Sequence, residues 1–169
     1  MAITLYEVTV PVLIRGLDRL AAVLDRGRAF AEEAGRDPAG LLGARLTPDM
    51  LPLTGQVQRA SDTAKFAVVR IGEVPNQAFA DDERSFGDLA ERIARTRAFL
   101  EAVPRAAIDA REAATIAAAI GRTPVTIGAS DYALAFVLPN FFFHVTTAYD
   151  ILRANGVPVG KMDYIGPLS

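Results

Sequence analysis

The residue best suited to chemistry is His144, the only histidine in the chain, which lies within an almost entirely apolar stretch. A neutral imidazole can accept a proton, form hydrogen bonds through either ring nitrogen, or bind a metal. Asn140 and Thr147 lie about one helical turn before and after it, so they are its expected polar neighbours. His144, Asn140 and Thr147 are therefore candidates for a ligand-binding site.

Two carboxylates are candidates to complete this site. Asp62 could bind a divalent metal, zinc or nickel, together with His144, but the apolar face of its helix turns it outward, where it would pair with Lys65. Asp49 is expected to cap the start of a helix, or alternatively to lie at the mouth of a ligand pocket. Two interpretations of His144 stay open, a core histidine held by hydrogen bonds and a ligand. No cofactor is predicted outright.

Other kinds of chemistry lack the residues they need. The chain has no cysteine, so it can form neither a disulfide nor a thiolate metal site, and it has no thiol nucleophile. It contains no nucleophile elbow, phosphate loop, dinucleotide fingerprint or H-E-x-x-H motif. A formal net charge of -2 gives no reason to expect nucleic acid as a partner. Whether the chain is an enzyme is left open.

Length and composition are those of one globular domain, residues 1–169, with 51% hydrophobic and 22% charged residues. Residues 1–20 lack the basic start, apolar core and small-residue cleavage site of a secretory signal. No run of about 18 uninterrupted apolar residues is present to span a bilayer. These observations predict a cytoplasmic protein with no membrane partner.

Hydrophobic periodicity predicts the helices that would position these residues. Apolar residues recur every three or four positions over residues 5–34 and again over 51–71, which indicates two helices with one buried face each. Ser85 and Asp88 form a capping-box pattern that begins a third helix. The arginines of this helix, Arg92 among them, alternate with acidic residues and are expected on a solvated face. The predicted buried stripes are Val10, Leu13, Leu17, Leu20 and Leu24; Leu53, Val57, Ala60, Ala64, Ala67 and Ile71; and Phe86, Leu89, Ile93, Thr96 and Leu100.

A hairpin and a fourth helix are predicted to follow. The stretch "TIAAAIGRTPVTI" alternates about its Gly-Arg pair, which indicates two short strands. The fourth helix, over residues 130–155, carries His144 near the centre of its inward face. Pro139 lies inside this helix and lacks the N–H that would bond the carbonyl of Ala135, so a kink is expected. The kink either bends the helix around the core or widens the bundle into a cavity beside His144.

The opposite side of the fourth helix is apolar as well. Leu138, Phe142, Val145 and Tyr149 occupy positions where a surface helix would carry charged residues. A helix that is apolar all round is buried on both sides. In a chain of this length, a second copy of the same protein is the expected partner. We therefore predict a homodimer formed through this face.

Three stretches of the sequence resemble a known family. They are "PNFFFHVTTAYDILRANGVPVGKMDYIG" at 139–166, "ARLTPDMLPLTGQVQRASDTAK" at 44–65 and "LYEVTVPVLIRGL" at 5–17. They are similar to a prokaryotic family of unknown function within the DinB/YfiT-like four-helix-bundle superfamily. The resemblance implies an all-α, up-down-down-up four-helix bundle, with a long crossover between the second and third helices and commonly a homodimer. The expected fold is this bundle with a small β-hairpin before the last helix.

The resemblance also implies where a metal would bind. Superfamily members with demonstrated activity resemble one another in a divalent-metal site, usually of three histidines from the second and fourth helices, and some are metal-dependent thiol transferases. This chain departs from that pattern, because His144 is its only histidine and position 148 is Ala148. The loss of two imidazoles argues against tight binding of zinc or nickel.

Two functional hypotheses follow from the sequence. In the first, which we prefer, the chain is a non-catalytic or ligand-binding helical dimer whose polar spot around His144 either tunes the core or contacts a small molecule. In the second, it is a metal-dependent transferase or hydrolase, in which His144 binds the metal with carboxylates such as Asp62 or Asp49. The small number of side chains that could bind a metal favours the first hypothesis. The metal sites of other superfamily members favour the second.

Overall fold

Four long helices form the body of the molecule in the computed structural model, which describes residues 3–167. Each lies close to the range predicted from hydrophobic periodicity. Within residues 3–167, no helix is both long enough and apolar enough to cross a lipid bilayer. The helices are α1 (Leu5–Glu33), α2 (Pro38–Leu42), α3 (Leu53–Gly72), α4 (Phe86–Glu101), α5 (Arg105–Asp109), α6 (Ala129–Asp131), α7 (Leu138–Ala154) and α8 (Lys161–Ile165).

Side-chain caps fix where two of the long helices begin. At the start of α1, the Thr4 hydroxyl accepts a hydrogen bond from the Glu7 N–H, and the Glu7 carboxylate accepts one from the Thr4 N–H. The capping box predicted for α4 is confirmed, with Ser85 Oγ 3.0 Å from the Asp88 nitrogen and Asp88 Oδ2 2.9 Å from the Ser85 nitrogen. These reciprocal bonds satisfy N–H groups that have no partner in the first helical turn.

The apolar stripes predicted for the first three helices form the core. Every residue in the three stripes is buried. Thr96, the polar member of the α4 stripe, shares a 2.7 Å hydrogen bond with Ser61 of α3, so its hydroxyl is satisfied. Removal of these apolar side chains from water is the main favourable term in folding.

Contacts between side chains show that α3 and α7 run in opposite directions. His144 contacts Gln56, whereas Asn140, one turn earlier on α7, contacts Thr63, two turns later on α3. Residue numbers therefore rise along one helix as they fall along the other. This antiparallel pairing places the middle of α7 against the first half of α3.

The directions of α1 and α4 complete the topology. Gly16 lies against Phe141 and Gly27 lies against Leu152, so α1 and α7 are parallel. Phe86, the first residue of α4, also lies against Gly27 near the end of α1, so α4 is antiparallel to α1. The helices α1, α3, α4 and α7 therefore run up, down, down and up. The predicted DinB-like bundle is confirmed.

Residues 73–85 form the crossover between the parallel helices α3 and α4, and they carry acidic side chains to the bundle. Arg92 of α4 donates hydrogen bonds to Asp81 at 2.9 Å, Glu83 at 2.7 Å and Asp62 at 3.0 Å. Arg92 is only 3% exposed, so its predicted place on a solvated face is wrong. The crossover covers this face of α4, which the periodicity of one helix cannot reveal.

The predicted hairpin is confirmed. Strand β1 (Thr115–Ile120) pairs in antiparallel fashion with β2 (Thr123–Gly128). The turn between them uses Gly121 at a φ of 61°, a left-handed conformation that glycine adopts without a steric penalty. The last strand leads directly into the final long helical region.

The predicted fourth helix consists of three consecutive segments. Helix α6 is followed by a π-helical segment, Tyr132–Val137, and then by α7. The N–H of Leu138 bonds the carbonyl of Ala133, five residues earlier, so this turn is wider than an α turn. Pro139, which has no N–H to donate, follows directly after the wide turn. A π segment was not predicted, because a periodicity of 3.6 does not distinguish it from an α-helix.

The chain's own C-terminal segment covers part of the face predicted to form a dimer. Val145 is 1% exposed within a single chain, so its assignment to an uncovered outer face is wrong. Phe142 and Tyr149 are partly buried against the core, and the Tyr149 ring meets the Tyr164 ring of α8 edge-on at 5.8 Å. The homodimer itself stays a prediction.

Candidate functional site

A cavity of about 150 Å³ lies between α3 and the final helical region, beside His144. Its walls combine charged, amide, hydroxyl and imidazole groups with aromatic rings. A wider bundle with a cavity beside His144 was one of the two outcomes predicted for the kink at Pro139, and this cavity lies at that place. The lining residues are Arg59, Asp62, Thr63, Phe66 and Arg70 from α3, Tyr132 and Phe136 from the π segment, and Asn140 and His144 from α7.

Helical spacing aligns these residues along the cavity. Tyr132, Phe136, Asn140 and His144 follow one another at intervals of four, which places them on one side of the final helical region. The residues from α3 recur at intervals of three and four on the facing helix. Two antiparallel helices therefore supply two facing rows of side chains, with the aromatic rings toward the Tyr132 end and His144 at the other.

A buried glutamine fixes the orientation and tautomer of His144. The imidazole Nδ1 lies 2.8 Å from Oε1 of Gln56, and Nε2 of Gln56 donates to the Leu51 carbonyl at 3.0 Å. A carbonyl can only accept, so the amide N–H of Gln56 must face Leu51 and its oxygen must face the ring. Nδ1 of His144 therefore carries the proton, and Nε2 is left with a free lone pair. Nε2 makes no hydrogen bond to residues 3–167.

His144 is neutral near pH 7. Burial, followed by the positive charge of Arg59, lowers its pKa from 6.5 to about 4. Burial acts in this direction because the charged imidazolium loses hydration that the protein does not replace. The ring therefore presents an acceptor rather than a positive charge. Neutrality agrees with both interpretations made from the sequence.

The two polar neighbours predicted for His144 differ in their placement. Asn140 lines the same cavity, where its Nδ2 donates to the Thr63 hydroxyl at 2.8 Å. Thr147 is 4% exposed, and its hydroxyl donates to the Phe143 carbonyl at 2.7 Å, so it is not a partner of His144. A threonine inside a helix commonly bonds the carbonyl one turn back, which uses its only proton locally.

Asp62 lies at the cavity but is already paired with cations. Its carboxylate lies 3.0 Å from Arg92, 3.3 Å from Arg59 and 3.5 Å from Lys65. The prediction that Asp62 and Lys65 form an exposed pair is wrong, because Lys65 is 3% exposed. The Lys65 ammonium lies over the ring of Phe79 at 4.6 Å, so the crossover covers this part of α3.

Asp49 lies apart from the cavity. It is exposed, and its carboxylate accepts a 2.5 Å hydrogen bond from the Thr47 hydroxyl. Helix α3 begins at Leu53 after Pro52 with no side-chain cap, so the predicted capping role is wrong. The Leu53 N–H instead donates to the Ala44 carbonyl at 2.9 Å, so a backbone group rather than Asp49 satisfies it.

The donor groups at the cavity do not fit a divalent metal. In the described part of the chain, no three histidine, cysteine, aspartate or glutamate side chains gather closely enough to hold an ion. Asp62 is the only carboxylate in the lining, and three cations neutralise it. Arg59 and Arg70 in the lining would also repel a cation. A zinc site needs three or four ligands of which His144 supplies one.

Arg70 is a functional candidate that sequence reasoning missed. Its guanidinium donates to the Tyr132 hydroxyl at 2.7 Å and lies over the ring of Phe66 at 5.1 Å. It forms no ion pair with any of residues 3–167, whereas Arg59 pairs with Asp81 at 2.6 Å. In the sequence, Arg70 lies beside the apolar stripe of α3. An arginine at that position could equally well be solvated, so its place at the cavity could not be predicted.

Comparison with known proteins places these features in a family context. A family model described as a domain of unknown function, DUF1993, matches residues 5–165. The crystal structure of a DinB family member protein from Shewanella denitrificans is 38% identical, with a TM-score of 0.88 over 97% of this chain and 93% of that chain. None of the curated proteins matches this sequence.

Proposed function

The chain belongs to the DUF1993 family and has a DinB-like fold, and from this premise we propose that it binds a small molecule in the cavity beside His144. The observation that carries the proposal is the arrangement of His144. A buried amide, Gln56, fixes the ring so that Nε2 keeps an unused lone pair at a cavity of about 150 Å³. His144 is only partly buried, so Nε2 is open to a molecule that enters the cavity.

The lining of the cavity supports ligand binding as well. Binding sites for small molecules are typically apolar clefts with a few convergent polar groups that fix the ligand's orientation. Phe66, Tyr132 and Phe136 supply the apolar walls, and Asn140 and His144 supply polar groups at one end. The volume equals the about 150 Å³ of an engineered cavity known to hold benzene, so a ligand of about one ring fits inside.

A metal-dependent transferase or hydrolase is the alternative. Its support is the free Nε2 of His144, held by a hydrogen bond from Nδ1 as is usual for metal-binding histidines. The donor set around it does not fit a divalent metal, so we favour the metal-free binding site. Metal content of protein purified without a histidine tag tests the alternative. Stoichiometric zinc or nickel that survives dialysis and disappears in His144→Gln would establish it.

The imidazole signal of His144 provides a direct test of the proposal. Because the chain has one histidine, its ring protons need no assignment in an NMR spectrum. We expect members of a library of one-ring fragments, at up to about 1 mM, to shift this signal. Thr63→Phe places a ring in the cavity and should abolish the shift, whereas Thr123→Phe on the exposed strand should preserve it. A signal that no fragment shifts would refute the proposal.

We also propose a homodimer, a single domain over residues 1–169 and a cytoplasmic location. Two large apolar side chains of the final helical region support the dimer, since Leu134 is 51% exposed and Phe143 is 54% exposed. Burial of all four long helices in one apolar cluster supports the single domain.

A further inference from the structure

We propose that the ligand of the cavity is a slender organic monocarboxylate with a planar apolar body and a hydrogen-bond donor at the end far from its carboxylate. This inference rests on the proposed function, because it names the chemistry of the molecule that the cavity binds. Three features along the cavity carry it. They are an arginine without a carboxylate partner at one end, aromatic walls, and a neutral acceptor at the other end.

Arg70 is the group suited to hold the carboxylate. Its guanidinium has five N–H donors, and the Tyr132 hydroxyl occupies one donor position at 2.7 Å. The rings of Phe66 and Tyr132 lie under it at 5.1 and 5.9 Å, which fixes its plane. A planar, oriented guanidinium with free donors binds a carboxylate through two parallel hydrogen bonds. Among residues 3–167, no carboxylate forms an ion pair with Arg70.

The charges around the cavity favour one negative charge on the ligand. Arg59 and Arg70 line the cavity with Asp62 as the single carboxylate, so the lining has a net positive charge. Asp62 is screened further by Arg92, which lies 3.0 Å away behind the cavity wall. Arg59 is held by Asp81 at 2.6 Å, which leaves Arg70 as the arginine available for the ligand. A cationic ligand would meet two guanidinium groups.

The two facing rows of side chains favour an elongated, flat ligand. Arg59 and Arg70 are eleven residues apart on α3, so their backbones lie about 16 Å apart along the helix axis. Phe66 and Phe136 are among the residues that line the space between the two helices. The rings of Tyr132 and Phe136 are stacked at 5.6 Å and form one wall of this space. A planar conjugated body suits such walls.

At the His144 end, the cavity favours a ligand group that donates a hydrogen bond. Nε2 of His144 has a free lone pair, because Gln56 fixes the proton on Nδ1. A hydroxyl or N–H of the ligand can donate to it. A second carboxylate at this end would face the lone pair of Nε2, and the nearby Arg59 is already paired with Asp81 at 2.6 Å, so a dicarboxylate is disfavoured. The two ends of the cavity therefore recognise different groups.

Calorimetry with three matched probes tests this inference. The probes are 4-hydroxycinnamate, its neutral amide and tyramine, which share a phenol and differ in charge. We expect 4-hydroxycinnamate to bind at least about tenfold tighter than its amide, and tyramine not to bind. Arg70→Gln should remove most of this preference for the acid, and Arg70→Lys should retain part of it. Arg122→Gln, an equal charge change in the exposed hairpin turn, should leave the preference intact.

The outcomes separate this inference from the proposed function. If the amide binds as tightly as the acid and shifts the His144 signal, the ligand class is wrong and small-molecule binding stands. An acid preference that survives Arg70→Gln also overturns the class, since Arg70 would then not hold the carboxylate. If neither the acid, the amide nor tyramine shifts the His144 signal, and no fragment does, both proposals fail.

Discussion

The low pKa of His144 should make the stability of the protein depend on pH. Burial and the charge of Arg59 lower that pKa from 6.5 to about 4, so between these values the unfolded chain takes up the proton more readily. The free energy of unfolding should fall as the pH drops through this window, by about 1–2 kcal/mol once partial exposure is allowed for. Urea unfolding measured from pH 7 to pH 4 should show this slope, and His144→Gln should lack it. An NMR titration midpoint near 6.5 would contradict the burial argument.

The pair formed by His144 and Gln56 should behave as one unit in unfolding experiments. His144→Leu leaves the oxygen of Gln56, a residue only 1% exposed, without a donor, and should cost about 1–3 kcal/mol of unfolding free energy. Gln56→Leu should also destabilise the chain. The double variant should cost less than the two single variants together, because removing both partners strands neither. Additive losses in denaturant unfolding would show that the hydrogen bond contributes little.

At the level of single residues, the sequence predicted the inward position of His144 and of Asn140 but not their partners. Periodicity within one helix shows which residues share a face. The bond from His144 to Gln56 joins residues 88 apart, and such pairing depends on the register between two helices. Thr147 and Asp49 do not line the cavity, and each bonds a near neighbour in the chain.

Among the structural elements, the π segment before Pro139 should depend on that proline. Pro139→Ala supplies an N–H that can bond the carbonyl of Ala135, so we expect an α turn to replace the wide turn. The side chains of Tyr132 and Phe136 would then rotate away from the cavity, and fragment binding at His144 should weaken. A crystal structure and the His144 NMR signal provide the measurements. Pro158→Ala, outside the helices, is the control, and a π segment that persists in Pro139→Ala would contradict its dependence on proline.

The buried arginine of α4 should contribute far more stability than an exposed one on the same helix. Arg92 is 3% exposed and contacts Asp62, Asp81 and Glu83, so Arg92→Met leaves three carboxylates without their shared cation. We expect a loss of about 3–5 kcal/mol in denaturant unfolding. Arg97→Met is the matched control, with a side chain 45% exposed, and should cost less than about 1 kcal/mol. Equal losses in the two variants would show that the buried network adds no particular stability.

The helices themselves were predicted well because burial sets their periodicity. The stripe of α3, for example, is the same in the sequence and in the structure from Leu53 to Ile71. The polar side of each helix was predicted less well. Whether Lys65 or Arg92 meets solvent depends on where residues 73–85 lie, and a long connection without periodicity gives no signal of its path.

At the scale of the whole molecule, assembly can be measured directly. Exposed Leu134 and Phe143 lead us to expect a homodimer at micromolar concentration that buries about 1,200 Å² or more in total. Phe143→Glu should shift the sedimentation coefficient to that of a monomer without loss of helical content. Thr123→Glu, on the exposed hairpin, should leave the dimer unchanged. Wild-type protein that sediments as a monomer would refute the prediction.

The topology of the bundle was predicted from resemblance rather than from the pattern of residues. Four amphipathic helices can pack with several orders of direction, and periodicity does not choose among them. The length of residues 73–85 agrees with this topology, since a short turn would have required antiparallel neighbours. The stretches that resemble the DinB/YfiT-like superfamily supplied the rest, and the directions of α1, α3, α4 and α7 confirm it.

The parallel course of α3 and α4 has a consequence for the order of events during folding. Helix α3 has 20 residues and is about 30 Å long, so residues 73–85 must traverse the bundle before α4 can dock. An up-down-up-down bundle, in which each helix packs against its neighbour in sequence, meets no such delay. We therefore expect α4 to dock late in folding. Until it docks, the surface of α3 that carries Asp62 and Lys65 would be exposed, and we expect these charges to disfavour premature association with other chains.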